Sequence, residues 1–148
     1  MRSSSIQLAG QSAAPSPTAS KTGLGVRVAA IVTLALLGTY HAMRAAATAC
    51  AGGGCDIYVP ISLLLPLLIL VAAALTGIMA IAAARHDKAW VIVLSLCAAV
   101  GVIGPIISLV VLRDSPDAFV VSSTILVTLV PVSALAYAFT RRTSAVTR

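Results

Sequence analysis

Residues Ala89 to Leu112 read AWVIVLSLCAAVGVIGPIISLVVL, without one Asp, Glu, Lys, Arg or His. An α-helix needs about 20 apolar residues to cross the ~30 Å hydrocarbon core of a bilayer, and this stretch exceeds that. The same holds outward on either side, where Ile57 to Ala84 and Ala118 to Thr140 are equally free of charge and of histidine. A shorter apolar run, Val28 to Tyr40, precedes the three. The expected fold is an all-α membrane protein: a four-helix antiparallel transmembrane bundle, up-down-up-down, with spans at about 24–46, 57–84, 89–112 and 118–140.

The boundaries follow from composition and from cap signals. Residues 1–22 are rich in Ser, Ala, Gln, Thr and Pro and have no hydrophobic period, so they are expected to form a disordered cytoplasmic tail. The four-span domain then occupies 23–142, and 143–148 form a second cytoplasmic tail. The first span is short, about 24 Å from Val28 to Met43 at 1.5 Å per residue. Arg27 and Arg44 are expected to snorkel from its two ends. Ala45 to Ala49 offers A-x-A cleavage sites, and Cys50 after Thr48-Ala49 has the look of a lipoprotein acylation site. The long preceding tail, the interruption at Arg44 and Ala47 three residues before the cysteine favour a retained span. Asp56 and Asp87 are expected to cap the second and third helices, with Pro60 in the first turn of the second. Ser115-Pro116-Asp117 is a start signal for the fourth: cap, proline at the first helical position, acid in the first turn. Connections of four or five residues make the later helices adjacent and antiparallel.

The charge balance sets the orientation. Ten Lys and Arg against four Asp give a net charge of +6 in a chain that is 59% hydrophobic and only 9% charged. No basic stripe interleaved with aromatics exists, so no nucleic-acid partner is expected. The cations lie at span ends, where they mark membrane orientation and meet anionic lipid headgroups. With the N-terminus inside, Arg2, Lys21, Arg27, Arg85, Lys88, Arg141, Arg142 and Arg148 face the cytoplasm, and only Arg44 and Arg113 lie outside. A multi-pass protein of the cell membrane with both termini cytoplasmic is the reading. Tyr40, Tyr58 and Phe119 then mark the outer interface, and Trp90, Tyr137 and Phe139 the inner one.

Small residues recur at helical spacing. Cys97, Gly101, Gly104 and Ser108 fall on one face of the third span, and Gly77 and Ala80 belong to a similar series on the second. Lipid tails are as apolar as leucine, so helices in a bilayer associate through close approach, which small faces permit. These residues are expected to form the helix-packing face of an intramolecular bundle, with a homo-oligomer seam or a pore lining as the alternative. Pro66, Pro105 and Pro131 sit inside three spans and read as packing features.

Chemistry-bearing residues are few. Cys50 and Cys55 flank Ala51-Gly52-Gly53-Gly54 in the external loop, an oxidising setting where the pair is expected to form a disulfide staple. Free thiols or a redox-active pair are the alternatives. In size and span count the chain resembles the four-span thiol oxidoreductases of the vitamin K epoxide reductase and disulfide-oxidising kinds. Their active pair is C-x-x-C, whereas the spacing here is C-x-x-x-x-C. Cys97, inside an apolar span, reads as a small packing residue. His41 and His86 fall at opposite membrane faces and cannot share a metal or haem. No Glu occurs, and Asp56, Asp87, Asp114 and Asp117 all lie at helix ends. Small multidrug exporters match in length and span count but depend on a membrane-embedded Glu, which is lacking here. No metal and no cofactor is expected, nor enzymatic activity. The layout of residues 24–142, with Lys88-Ala89-Trp90, Gly104-Pro105 and Arg141-Arg142, resembles small four-span membrane proteins of high-GC bacteria. That resemblance implies the span layout and carries no activity.

The functional expectation is a non-enzymatic integral membrane protein that assembles with itself or with a larger membrane complex, its surroundings being the lipid bilayer. One alternative is a passive channel, small-solute exporter or holin-like permeabilising protein. The other is a thiol-disulfide membrane protein using Cys50 and Cys55.

Overall fold

The computed structural model describes the backbone of residues 17–50 and 58–146, and side chains over 21–50 and 64–143. Four helices make up the described residues: α1 Pro17–Ala49, α2 Tyr58–Ala83, α3 Lys88–Val111 and α4 Pro116–Val146. Each is long and apolar enough to cross a membrane.

The helices begin where local chemistry allows. α1 starts at Pro17, earlier than the tail expected over 1–22. A proline at the first helical position lacks only an N–H that would have no partner there, and Ala and Lys are good helix formers. The α3 start follows its cap: Asp87 has an extended backbone (φ −119°, ψ 94°) and its side chain accepts from the Trp90 N–H at 3.4 Å. The α2–α3 turn is closed by Asp87 N–H donating to Ala84 O at 2.7 Å, and the α3–α4 turn by Ser115 N–H donating to Leu112 O at 2.9 Å. α4 starts at Pro116 with Asp117 in its first turn, and it runs on to Val146, past the end expected at about 140. The cap expected at Asp56 lies outside the described residues. Pro66, Pro105 and Pro131 are carried inside unbroken helices.

In cross-section the four helices form a rhombus. α1 packs on α2 and α4, α3 packs on α2 and α4, and α2 meets α4 across the middle; among the described residues α1 and α3 do not touch. The interior divides into two apolar clusters along the bundle. The first joins Val26, Ala30, Ala80, Ala84, Leu94 and Tyr137 with their neighbours. The second joins Leu65, Ile69, Ala73, Val127 and Val130, with Leu36, Tyr40 and Met43 packed against them. Many of the innermost residues are alanines, so backbones approach closely and contact is made by van der Waals packing.

The outside is aliphatic. Leu64, Leu75 and Ile78 on α2, Ile92 and Val110 on α3 and Ile125 on α4 are all exposed, which inverts the pattern of a chain folded in water.

Candidate functional site

Three places combine polar chemistry with defined geometry: the middle of the bundle and its two ends.

At the middle, Thr33 and Thr76 are both fully buried, and their hydroxyl oxygens lie 2.9 Å apart. Each hydroxyl is also within reach of its own helix, Thr33 of Ala29 O at 2.9 Å and Thr76 of Ala72 O at 2.7 Å. Two protons serve three contacts, so one hydroxyl donates across the interface while the other donates to its own backbone. The pair stands between the two apolar clusters in sequence, Thr33 between Ala30 and Leu36 and Thr76 between Ala73 and Ala80. Sequence reasoning did not single it out.

The end formed by the start of α1 and the close of α4 is basic. Its described charges are Lys21, Arg27, Arg85, Lys88, Arg141 and Arg142 against the single acid Asp87. Arg27 does not snorkel outward from α1. Its Nη2 donates to Ala138 O of α4 at 2.8 Å, and its guanidinium carbon lies 4.9 Å from the centre of the Phe139 ring. The carbonyl and the ring offer the guanidinium an acceptor and a π-face without a long reach to the interface. Arg27 Nε is buried without a partner among the described residues. Nearby, Tyr137 is buried, donates its hydroxyl to Ala83 O at 2.7 Å and meets Trp90 edge-on with ring centres 5.6 Å apart. That carbonyl belongs to the last turn of α2, which has no acceptor role left within the helix. Arg141 lies over the Tyr137 ring, 5.7 Å from its centre.

The opposite end is balanced, Arg44 and Arg113 against Asp114 and Asp117 among the described residues. Arg44 pairs with Asp117 at 3.4 Å, but Asp117 is 97% exposed, so the pair contributes only about 0–1 kcal/mol. His41 Nε2 lies 3.1 Å from the Thr124 hydroxyl oxygen. The Thr124 hydroxyl also reaches Val120 O of its own helix, at 2.7 Å.

The residues expected to form the packing face are distributed as follows. Gly77 is buried against α3, where an added Cβ would lie 2.9 Å from Ala98 Cβ. Gly101 is buried against Val130 of α4, and a Cβ at Gly104 would lie 2.6 Å from the Leu126 Cδ1 atom. Ala80 is fully buried in the first cluster, while Cys97 and Ser108 are half-buried. Cys97 is a free thiol. Cys50 closes α1, its N–H donating to Ala46 O at 3.1 Å, and it is disulfide-bonded. Cys55 lies outside the described residues.

The hydroxyls of α4 are engaged by their own helix. Ser122, Ser123, Thr128 and Ser133 donate to the carbonyls of Phe119, Val120, Thr124 and Val130. No protein-family model matches the chain, and no curated protein and no solved structure matches it either.

Proposed function

We propose that the chain is a multi-pass protein of the cell membrane, its four helices crossing up-down-up-down with both termini cytoplasmic, and that it acts without catalysis by assembling with itself or with a larger membrane complex. The observation that carries the membrane part is the inverted surface, aliphatic along all four helices with small residues inside. Antiparallel neighbours are supported by contacts at both ends of α1: Arg27 meets the close of α4, and Arg44 meets its start. Orientation is supported by the described residues, six cations against one acid at one end and two against two at the other, since cytoplasmic loops are enriched in Lys and Arg.

Assembly is supported by α3. Only Leu94 and Gly101 are buried in this helix of 24 residues, and its exposed side carries the small residues Ser95 and Ala99 one turn apart, which permit close approach of another helix. Native mass spectrometry and crosslinking in mild detergent test this part. A defined oligomer or a retained subunit is the expected result, and a strictly monomeric, partner-free chain contradicts it.

A pore through a single copy has weaker support. Apart from the Thr33–Thr76 pair the described buried side chains are apolar, and the α4 hydroxyls that would line a pore donate to their own backbone. For the thiols we favour a Cys50–Cys55 staple outside the membrane over redox work, because the third cysteine, Cys97, is placed on α3 among apolar residues.

A further inference from the structure

We propose that the seam between α1 and α4 at the basic end holds the phosphodiester headgroup of one anionic phospholipid, gripped by Arg27 and Arg142, with an acyl chain lying over Phe139. The proposal rests on the membrane reading above and adds a ligand to it.

Arg27 is already held in place for this role. The hydrogen bond to Ala138 O and the stack on Phe139 fix the guanidinium across the seam, so little side-chain freedom remains to be lost on binding. No carboxylate pairs with it: the one ion pair among the described residues is Arg44–Asp117, at the opposite end. Nε is buried and meets no acceptor among the described residues, and a phosphodiester oxygen matches the planar fork of arginine.

Arg142 supplies the second cation. It follows Ala138 by four residues and Phe139 by three, so it shares their face of α4, and it is exposed. The local acid does not compensate this face. Asp87 caps Trp90, and Trp90 packs on Tyr137, the side of α4 over which Arg141 lies. Among the described residues the seam therefore presents two guanidinium groups and no anion.

Toward the bundle middle the same seam becomes an apolar track. Phe139 and Val132, seven residues apart on α4, are 56% and 51% exposed, and Ile31, one turn past Arg27 on α1, is 57% exposed. An acyl chain fits such a surface, and a free anion has no use for it. A zwitterionic choline headgroup brings its own cation toward the two arginines, so the site selects for a net negative lipid.

The test uses the full chain in mild detergent, titrated with phosphatidylglycerol or phosphatidylcholine of identical acyl chains and read by native mass spectrometry. One retained phosphatidylglycerol with a preference of about tenfold is expected, given two arginines close to the headgroup. Arg27→Gln and Arg142→Gln should each cut that preference severalfold, while Arg113→Gln at the other end leaves it unchanged. Arg142 is exposed, so its variant keeps the test sharp even where Arg27→Gln folds poorly. Equal retention of the two lipids, or an equal effect of Arg113→Gln, overturns the proposal. Displacement by excess inorganic phosphate overturns it too, by assigning the site to a free anion. A chain that stays in aqueous solution without detergent instead contradicts the membrane reading itself.

Discussion

Thr33 Oγ1 and Thr76 Oγ1 lie 2.9 Å apart in the middle of the bundle, both residues fully buried, and theirs is the one side-chain to side-chain hydrogen bond between α1 and α2 among the described residues. Hydroxyl pairs of this kind fix the register of two helices that apolar packing alone holds loosely. In bilayers such bonds contribute about 0.6 kcal/mol on average and about 1.7 kcal/mol at most. Thr33→Val and Thr76→Val should each lower stability in detergent by about that range. Their double-mutant cycle should give a coupling near the average, because each hydroxyl retains its own backbone carbonyl as an alternative. Strict additivity of the two substitutions would show that the pair is not a bond.

At Gly101 α3 approaches α4 too closely for a side chain. An added methyl there meets Val130 and, at 3.2 Å, the backbone oxygen of Leu126, which cannot swing aside. Gly101→Ala should therefore cost about 1–3 kcal/mol by overpacking. At Gly104 the obstacle is the end of the Leu126 side chain, which can change rotamer, so Gly104→Ala should cost less. Gly38 has nothing within 4 Å, and Gly38→Ala should be neutral or should stabilise α1 by up to about 1 kcal/mol. Thermal unfolding in one detergent ranks the three, and an order with Gly38→Ala as the worst contradicts the packing.

Tyr137 ties α4 to the last turn of α2 through Ala83 O. Removing only its hydroxyl leaves that carbonyl without its donor, so Tyr137→Phe should cost about 1 kcal/mol. Tyr137→Ala also deletes the ring that packs on Trp90 and should cost about 3–5 kcal/mol. Similar losses for both variants would place the contribution in the hydroxyl rather than the ring.

Alkylation of the denatured chain without reductant should modify Cys97 alone, and after reduction all three cysteines. Cys50→Ser should then release Cys55 for alkylation without reductant. A Cys55 that stays blocked in that variant has another partner, and the staple is ruled out.

Much of this architecture was legible in the sequence, because uncharged runs longer than a bilayer is thick admit few readings. Asp87 as the α3 cap was equally plain, an acid directly before an apolar helix. The sequence also marked the glycines of α3 as a face, but not that Val130 and Leu126 of α4 would occupy it, since spacing along one helix is silent about its partner. The crossing of Arg27 to Ala138 was hidden for a related reason: a long side chain at a span end can reach outward or sideways, and the choice depends on the neighbour. Thr33 and Thr76 were missed because one hydroxyl in an apolar run has no period to notice. The start of α1 at Pro17 is not legible in its polar composition, because the helix there continues an apolar segment already nucleated.

The proposed topology has four membrane crossings and returns both ends to the cytoplasm. Single cysteines introduced as Ser4→Cys or Thr147→Cys, in a background of Cys50→Ser, Cys55→Ser and Cys97→Ala, report on it directly with a membrane-impermeant thiol reagent. Both positions should stay unlabelled on intact cells and become labelled once the membrane is opened. Labelling of Ser4→Cys alone on intact cells means that α1 does not cross, and labelling of both means that the orientation is reversed; either result contradicts the account.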